Sequence, residues 1–205
     1  MLLIGDVHGK FGPYKTLIKG RTDSIQVGDM GVGFIRQYGY MEGSTSQNPP
    51  FDKMVAGNHR FIRGNHDNPG VCRKHKQWIA DGTYDPVTKM MFVGGANSID
   101  RQFRTEGFDW WRDEELGYEE ADKVLGTYLK VKPEIMVTHD CPLMIIPLMH
   151  SHHWNDNSFT QRMLQNMFEQ HQPRLWFYGH HHKSFVQEVN GTTFRCLAEL
   201  ETFEL

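Results

Sequence analysis

Short apolar runs alternate with segments of helical periodicity along this chain. Strand-like runs are predicted at Leu2–Ile4, Ser24–Val27, Arg60–Ile62, Met90–Val93, Ile135–Thr138 and Leu175–Tyr178. Helices are predicted at Phe11–Ile18, around Ala121–Leu129, and from Ser158, which forms a capping-box pair with Gln161, to the residues before Pro173. This mixture predicts a layered α/β fold in which helices cover sheets.

Glycine, asparagine and proline mark the connections between these elements. Residues 36–50 are rich in Gly, Ser, Asn and Pro and are expected to form an exposed loop. One hairpin is predicted around Gly94-Gly95, between Met90–Val93 and the region Ala96–Arg101, and another at Asn190-Gly191. A length of 205 residues fits one domain, so a single domain is expected over residues 1–205.

The charge and composition of the chain limit the classes of partner that it is expected to bind. The chain carries 22 basic and 25 acidic side chains, so it lacks the basic excess expected of a general nucleic-acid or anionic-membrane binder. No stretch approaches the roughly 18 apolar residues that a membrane span needs. The opening MLLIGDVHG lacks the features of a secretory signal, and none of the three cysteines lies in a CxxC motif. A cytoplasmic protein is therefore expected, in the host cytoplasm if the chain is phage-encoded.

Polar residues that ligate metals follow the apolar runs at five places. They are Asp6-Val7-His8, Asp29, Asn65-His66-Asp67, His139-Asp140 and His180-His181-His182. A single Asp or His after a strand is usually a turn former. In α/β folds, however, ligands gather at the carboxyl ends of strands, and the polar residues at all five places would converge there. Imidazole, carboxylate and amide ligands without thiolate suit Mn, Fe, Zn or Mg. The number of candidate ligands exceeds what one ion needs and is enough for two.

Five motifs in this order resemble the calcineurin-like metallophosphoesterase superfamily. They are GDVHG (5–9), GDMG (28–31), RGNHD (63–67), THDCP (138–142) and GHHH (179–182), and residues 94–115 are similar to a segment of small bacterial and phage members. The resemblance implies a two-sheet β-sandwich flanked by helices, with a dinuclear metal site at the carboxyl-terminal edge of the strands. It assigns one metal to Asp6, His8 and His182, the other to Asn65, His139 and His180, and Asp29 to both.

The chemistry implied is hydrolysis without a covalent phosphoenzyme. In this hypothesis two divalent ions, manganese being favoured over Fe, Zn, Ni or Mg, lie ~3.5–4 Å apart and share a bridging hydroxide that attacks phosphorus directly. His66 is predicted to protonate the leaving group, and Asp67 or Asp140 to orient that ring or another imidazole. Arg63 and Asn65 are predicted to contact the substrate phosphate, although for Arg63 a surface charge at a strand end is an equal alternative.

The favoured function is hydrolysis of a phosphomonoester or phosphodiester bond in a small, nucleotide-like substrate. A protein phosphatase is disfavoured because the second motif lacks the phosphate-gripping Arg of that branch and the third ends in Asp67 rather than Glu. A nuclease of the same superfamily is disfavoured by the absence of a cation excess. The intact ligand set with His66 argues against a non-catalytic scaffold. The oligomeric state stays open, and His150, His152 and His153 are expected in an ordinary exposed loop rather than over the site.

Overall fold

Two β-sheets lie at the centre of the molecule. The structure is a computed structural model that describes residues 1–34, 49–150 and 158–205. The first sheet has the order β10-β1-β2-β3. Its strands are β1 (Leu2–Ile4), β2 (Asp23–Gln26), β3 (Asn58–Phe61) and β10 (Thr202–Glu204). The pairs β1–β2 and β2–β3 are parallel, and β10 adds an antiparallel edge to β1.

The second sheet has six strands in the order β4-β5-β6-β7-β9-β8. They are β4 (Tyr84–Asp85), β5 (Met90–Val93), β6 (Ile135–Thr138), β7 (Leu175–Tyr178), β8 (Phe185–Val189) and β9 (Thr192–Cys196). Strands β5, β6, β7 and β9 are parallel, and β4 and β8 are antiparallel edges. The predicted hairpin at Asn190-Gly191 is confirmed, because it joins β8 to β9.

Helices cover the outer face of each sheet. They are α1 (Phe11–Ile18), α2 (Phe51–Ala56), α3 (Pro69–Cys72), α4 (Tyr118–Val131), α5 (Ile146–Met149) and α6 (Phe159–Gln170), with 3-10 turns at Arg101–Phe103 and Leu143–Ile145. Side chains of α1, α2 and α3 pack on the first sheet, and those of α4, α5 and α6 on the second. Within the described ranges, no helix combines the length and apolarity needed to cross a membrane.

Burial on both faces explains why the inner strands are apolar throughout rather than alternating. In β6, Ile135 and Val137 point into the core between the sheets, together with Phe92 of β5 and Leu3 of β1. The intervening residue Met136 lies in the opposite core, with side chains of α4 and α6. The order of layers is therefore helix, sheet, sheet, helix, which confirms the predicted two-sheet sandwich flanked by helices.

The predicted hairpin around Gly94-Gly95 is wrong. Strand β5 pairs in parallel with β6 and antiparallel with β4, and the described segment Ala96–Arg101 contains no strand. The glycines bond to other parts of the chain: Gly95 N donates to the Arg63 carbonyl at 2.8 Å, and Gly94 N to the Asp81 carboxylate at 2.5 Å. Most of the loop predicted at 36–50, namely residues 36–48, lies outside the described residues.

Candidate metal centre

The predicted ligands follow parallel strands and therefore meet along one edge of the sandwich. Asp6 follows β1, Asp29 follows β2, Asn65 follows β3, His139 follows β6, and His180 and His182 follow β7. His8, Asp29, His180 and His182 have positive φ angles of 49°, 58°, 65° and 52°. Non-glycine residues adopt this region at a cost, and such strain concentrates at functional sites.

The first ligand group consists of Asp6, His8, Asp29 and His182, whose ligand atoms all lie within 4.8 Å of one another. The Nε2 atoms of His8 and His182 are 2.8 Å apart. His182 Nε2 lies 3.2 Å from Asp6 Oδ2, and His8 Nε2 lies 3.8 Å from the same oxygen. Two imidazole nitrogens and a carboxylate oxygen thus face one point, which is where a cation would bind.

The second ligand group consists of Asp29, His139 and His180. His139 Nε2 is 3.3 Å from Asp29 Oδ1 and 3.2 Å from the amide oxygen of Asn65. His139 Nδ1 donates to the Val27 carbonyl at 2.9 Å, so its Nε2 atom is directed into the group. The Asn65 amide is oriented in the same way, because its Nδ2 donates to Ser98 Oγ at 3.0 Å and leaves the oxygen toward the site.

Asp29 is shared by the two groups. Its Oδ2 is 3.7 Å from His8 Nε2, while its Oδ1 is 3.3 Å from His139 Nε2 and also accepts a hydrogen bond from His66 N at 2.7 Å. The side chain is almost completely buried. The structure thus brings together all seven residues that the sequence assigned to metals, with one carboxylate between two sets of imidazoles.

The seven candidate ligands together form a cage, and its electrostatics favour positive charge. Burial disfavours the ionised form of Asp6, but hydrogen bonds from His182 and His8 outweigh it and hold the pKa of Asp6 below its ordinary value. Burial also opposes the charge of His139, yet Asp29 raises the pKa of that imidazole to about 10. Two buried carboxylates among imidazoles are a donor set that divalent transition metals match, so the residues present fit the metals that the sequence implied.

Two glycines allow the backbone to approach the carboxylates closely. A Cβ on Gly64 would lie 2.0 Å from Asp29 Oδ1, and one on Gly179 would lie 2.2 Å from Asp6 Oδ1. Any side chain at either position would displace a candidate ligand. The glycine of the RGNHD motif and that of the GHHH motif are therefore required by the cage itself.

His66 lies beside the cage, against aromatic and cationic neighbours. Its ring stacks on Phe34 with centroids 4.7 Å apart, and its edge meets the ring of His8 at 4.8 Å. The Nη2 atom of Arg104 is 2.8 Å from His66 Nε2. Burial is the main cause that lowers the pKa of His66 to about 3, with His8 and Arg104 adding to it against the opposing effect of Asp29. The ring is therefore neutral in this arrangement.

A family model described as calcineurin-like phosphoesterase matches residues 1–184. The chain belongs to the calcineurin-like phosphoesterase family. The match confirms the resemblance inferred from the five motifs and makes this protein a metal-dependent phosphoesterase. No functionally curated protein matches the sequence significantly.

Two solved structures are similar to this phosphoesterase at low sequence identity, and the first of them shares its fold. A Staphylococcus aureus protein assigned as a 5′-nucleotidase, in complex with α-ketoglutarate, superposes with a TM-score of 0.52 at 12% identity over 98% of this chain. The present chain spans 48% of that protein, about half its length. The Plasmodium protein GAP50, an anchor in the inner membrane complex, gives a TM-score of 0.48 at 13% identity over 96% of this chain and 70% of its own.

Asp67 of this phosphoesterase binds backbone rather than an imidazole. Its Oδ1 accepts from Gly31 N at 2.7 Å and Val32 N at 2.8 Å, and its Oδ2 accepts from Gly64 N at 2.8 Å and Met30 N at 3.2 Å. Burial and the charge of Asp29 raise the pKa of Asp67 to about 6 against these hydrogen bonds. Asp67 therefore ties the loop after β2 to the loop after β3, which differs from the role predicted from the sequence.

Arg63 lies behind the cage and is 2% exposed. Its Nε donates to Asp81 Oδ2 at 2.8 Å, and its Nη1 donates to the carbonyl oxygens of Asp113 at 2.9 Å and Glu114 at 2.6 Å. The guanidinium thus joins two loops inside the protein. These contacts do not support the predicted contact with phosphate, because the side chain is buried and its Nε and Nη1 donors bind groups inside the protein.

A second set of polar side chains lies behind the ligands of the second sheet. His181 Nε2 is 3.0 Å from Asp140 Oδ1 and 3.7 Å from Cys141 Sγ. On its other side, His181 Nδ1 is 3.4 Å from His150 Nε2, and Lys183 Nζ donates to His150 Nδ1 at 3.2 Å. His150, which the sequence predicts in an exposed loop, therefore contacts this second set of polar side chains. His152 and His153 lie outside the described residues.

Proposed function

We propose that this phosphoesterase hydrolyses a small, nucleotide-like phosphoester with the help of two divalent cations. One cation is assigned to Asp6, His8 and His182, the other to Asn65, His139 and His180, and Asp29 is shared. The observation that carries this proposal is the position of Asp29, whose two carboxylate oxygens face opposite ligand groups at 3.7 and 3.3 Å. A site for a single cation would use only one of these two ligand groups.

The metals would supply a nucleophile at neutral pH and offset the negative charge that grows on the phosphoryl oxygens. The protein's own residues hold the ligands in place and provide the proton. His139 is held by the Val27 carbonyl and Asn65 by Ser98, so both present a lone pair to the site. His66 lies within 4.8 Å of His8, ring to ring, and is assigned the protonation of the departing oxygen.

Several features support a small substrate. The cage is open on the side of His182, whose side chain is 51% exposed, while the other ligands are largely covered. The net charge of −3 does not favour the long phosphate backbone of a duplex. The S. aureus structure of the same fold is assigned as a 5′-nucleotidase, which is consistent with a nucleotide-like substrate.

The remaining parts of the proposal concern metal identity, organisation and location. Manganese is proposed because the ligand set combines carboxylate, imidazole and amide groups without a thiolate. Residues 1–205 are proposed to form one domain. A cytoplasmic location is proposed because the three cysteines are all buried and unpaired, as expected in a reducing compartment.

A hydrolysis assay on metal-loaded protein tests this function. Bis-p-nitrophenyl phosphate and p-nitrophenyl phosphate are compared with and without a chelator, in protein whose metal content is measured by elemental analysis. We expect about two ions per chain and chelator-sensitive hydrolysis of at least one compound. Hydrolysis confined to one compound assigns the phosphodiester or phosphomonoester class. A fully loaded protein that hydrolyses neither compound, nor any member of a nucleotide panel, contradicts the proposal.

A further inference from the structure

Arg104 is the cationic side chain that lies against the candidate general acid. Its Nη2 is 2.8 Å from His66 Nε2, although the two residues are 38 positions apart. It directly follows the 3-10 turn Arg101–Phe103. This residue belongs to none of the motifs that supply metal ligands.

The guanidinium is held in a defined position. Its side chain is only 10% exposed, its Nη2 is 2.7 Å from Asp100 Oδ1, and its Nη1 donates to the Asp109 carbonyl at 3.2 Å. The Cζ atom lies 5.7 Å from the centroid of the Phe34 ring, which also stacks on His66. Arg104 is therefore placed by its surroundings beside His66 rather than extended into solvent.

The hydrogen bond between Arg104 and His66 conflicts with the role proposed for His66. A guanidinium donates hydrogen bonds and accepts none, so His66 Nε2 must be the acceptor. A nitrogen that accepts from Arg104 does not carry the proton that a leaving oxygen would take. His66 acts as an acid through Nε2 only when Arg104 has turned away and this nitrogen has taken up a proton from solvent. A group that attracts a guanidinium more strongly than a neutral imidazole must be present for Arg104 to leave.

We infer that Arg104 binds the substrate's phosphoryl group and that it leaves His66 Nε2 in doing so. This inference rests on the proposed function. A phosphate oxygen anion is a stronger partner for a guanidinium than a neutral ring nitrogen, because it adds the attraction of opposite charges and can accept two parallel N–H···O bonds from the planar guanidinium. The same movement supplies the phosphate contact that the second motif lacks and that Arg63 does not make.

The position and the anchoring of the Arg104 side chain both fit the binding of a phosphoryl group. His66 lies edge-on to His8, a candidate metal ligand, at 4.8 Å, so Arg104 is separated from the cage by a single ring. Its partner Asp100 is half exposed, and the bond to the Asp109 carbonyl uses Nη1 alone. The guanidinium can therefore keep one anchor while its other nitrogens turn toward a phosphate.

The test compares Arg104→Ala and Arg104→Lys with Arg101→Ala, a matched control on the same segment whose residue is exposed. The dissociation constant of inorganic phosphate is measured by calorimetry on metal-loaded protein, and kcat and KM are measured for the phosphoester with the poorest leaving group that the unaltered protein hydrolyses. We expect Arg104→Ala to bind phosphate about 10- to 100-fold more weakly, because a hydrogen bond to a charged group contributes about 1.5–3 kcal/mol. The phosphate affinity of Arg104→Lys should lie between those of Arg104→Ala and the unaltered protein, since lysine keeps the charge but lacks the planar set of donors. Arg101→Ala should match the unaltered protein.

A crystal structure of the metal-loaded protein with phosphate provides the second measurement. The expected result is an Arg104 guanidinium bonded to phosphate and out of hydrogen-bonding range of His66 Nε2. The inference is overturned if Arg104 stays on His66 in that complex. It is also overturned if Arg104→Ala lowers kcat while phosphate affinity equals that of Arg101→Ala, because Arg104 would then only orient His66. Failure of the proposed function would look different, since the unaltered protein would hydrolyse no phosphoester at all.

Discussion

The Asp140 carboxylate and the His181 imidazole lie 3.0 Å apart and join the two loops that carry the candidate ligands of the second sheet. Asp140 directly follows His139, and His181 lies between His180 and His182. Asp140 Oδ1 also accepts from Cys141 N at 2.8 Å. Burial opposes the charge of Asp140, but the hydrogen bond from His181 outweighs it and lowers the pKa of Asp140 to about 2. The pair therefore fixes the distance between the two ligand-bearing loops.

We expect Asp140→Asn to weaken metal binding without removing a ligand. The substitution keeps the shape but loses the charge that orients His181, and loss of such supporting partners typically lowers metal affinity about 10- to 100-fold. A competitive metal titration measures the effect. Asp122→Asn, on the exposed face of α4, is the control and should leave affinity unchanged. Equal affinities in the two variants would show that the pair does not position the ligands.

Asp29→Asn should release both metals. An amide retains the volume of the side chain but cannot share negative charge between two cations, so both ligand groups lose their common member. His182→Ala, in contrast, should release one ion, because His182 belongs only to the first group. Elemental analysis after dialysis gives the metal content of each variant. Retention of two ions by Asp29→Asn would refute the shared assignment.

His66→Ala should retain metal and lower kcat by about 10²- to 10⁴-fold, which is the usual contribution of general-acid catalysis. The loss should shrink for a good leaving group such as p-nitrophenolate, which needs no proton. Rates for a series of phosphoesters with different leaving-group pKa values test this dependence. A uniform loss across the series would remove His66 from the role of acid.

The candidate metal ligands could be brought together from the sequence alone because each one follows a local signal, a short apolar run that ends in a polar turn. The strand that precedes Asp6 or His139 is enough to place that residue at the edge of a sheet, and no contact with distant parts of the chain is needed to predict it. The helix at Phe11–Ile18 and the hairpin at Asn190-Gly191 are local in the same sense, and the structure contains both.

The features that sequence reasoning missed depend on distant partners. Gly94-Gly95 looks like a turn, but its N–H groups bond to Asp81 and Arg63 while β5 pairs with β6, more than forty residues away. Strand β10 has only three residues and forms because β1 offers a free edge. Arg104 reaches His66 across 38 residues, and the only available signal was its position within the segment similar to small family members. No periodicity or spacing reports such contacts.

Asp67→Ala should destabilise the fold even when no metal is bound. Four buried backbone N–H groups would lose their acceptor, and leaving buried donors unpaired costs about 1–3 kcal/mol each, although such costs do not add fully. We therefore expect a loss of at least ~3 kcal/mol in the free energy of unfolding, measured by urea denaturation of metal-free protein. His66→Ala is the comparison and should unfold near the midpoint of the unaltered protein. If Asp67→Ala lowers only kcat, its backbone hydrogen bonds are not what maintains the loops.

Arg63→Lys separates a structural role from a substrate contact. Lysine keeps the positive charge near Asp81 but cannot reproduce the planar donors that bind the carbonyls of Asp113 and Glu114. We expect a loss of roughly 2 kcal/mol in unfolding free energy, with KM for p-nitrophenyl phosphate unchanged in the folded protein. Arg63→Met should cost about 3–5 kcal/mol, because it leaves the largely buried Asp81 carboxylate without its partner. A KM that rises in Arg63→Lys while the urea midpoint stays constant would place Arg63 at the phosphate after all, since only a direct contact produces that combination.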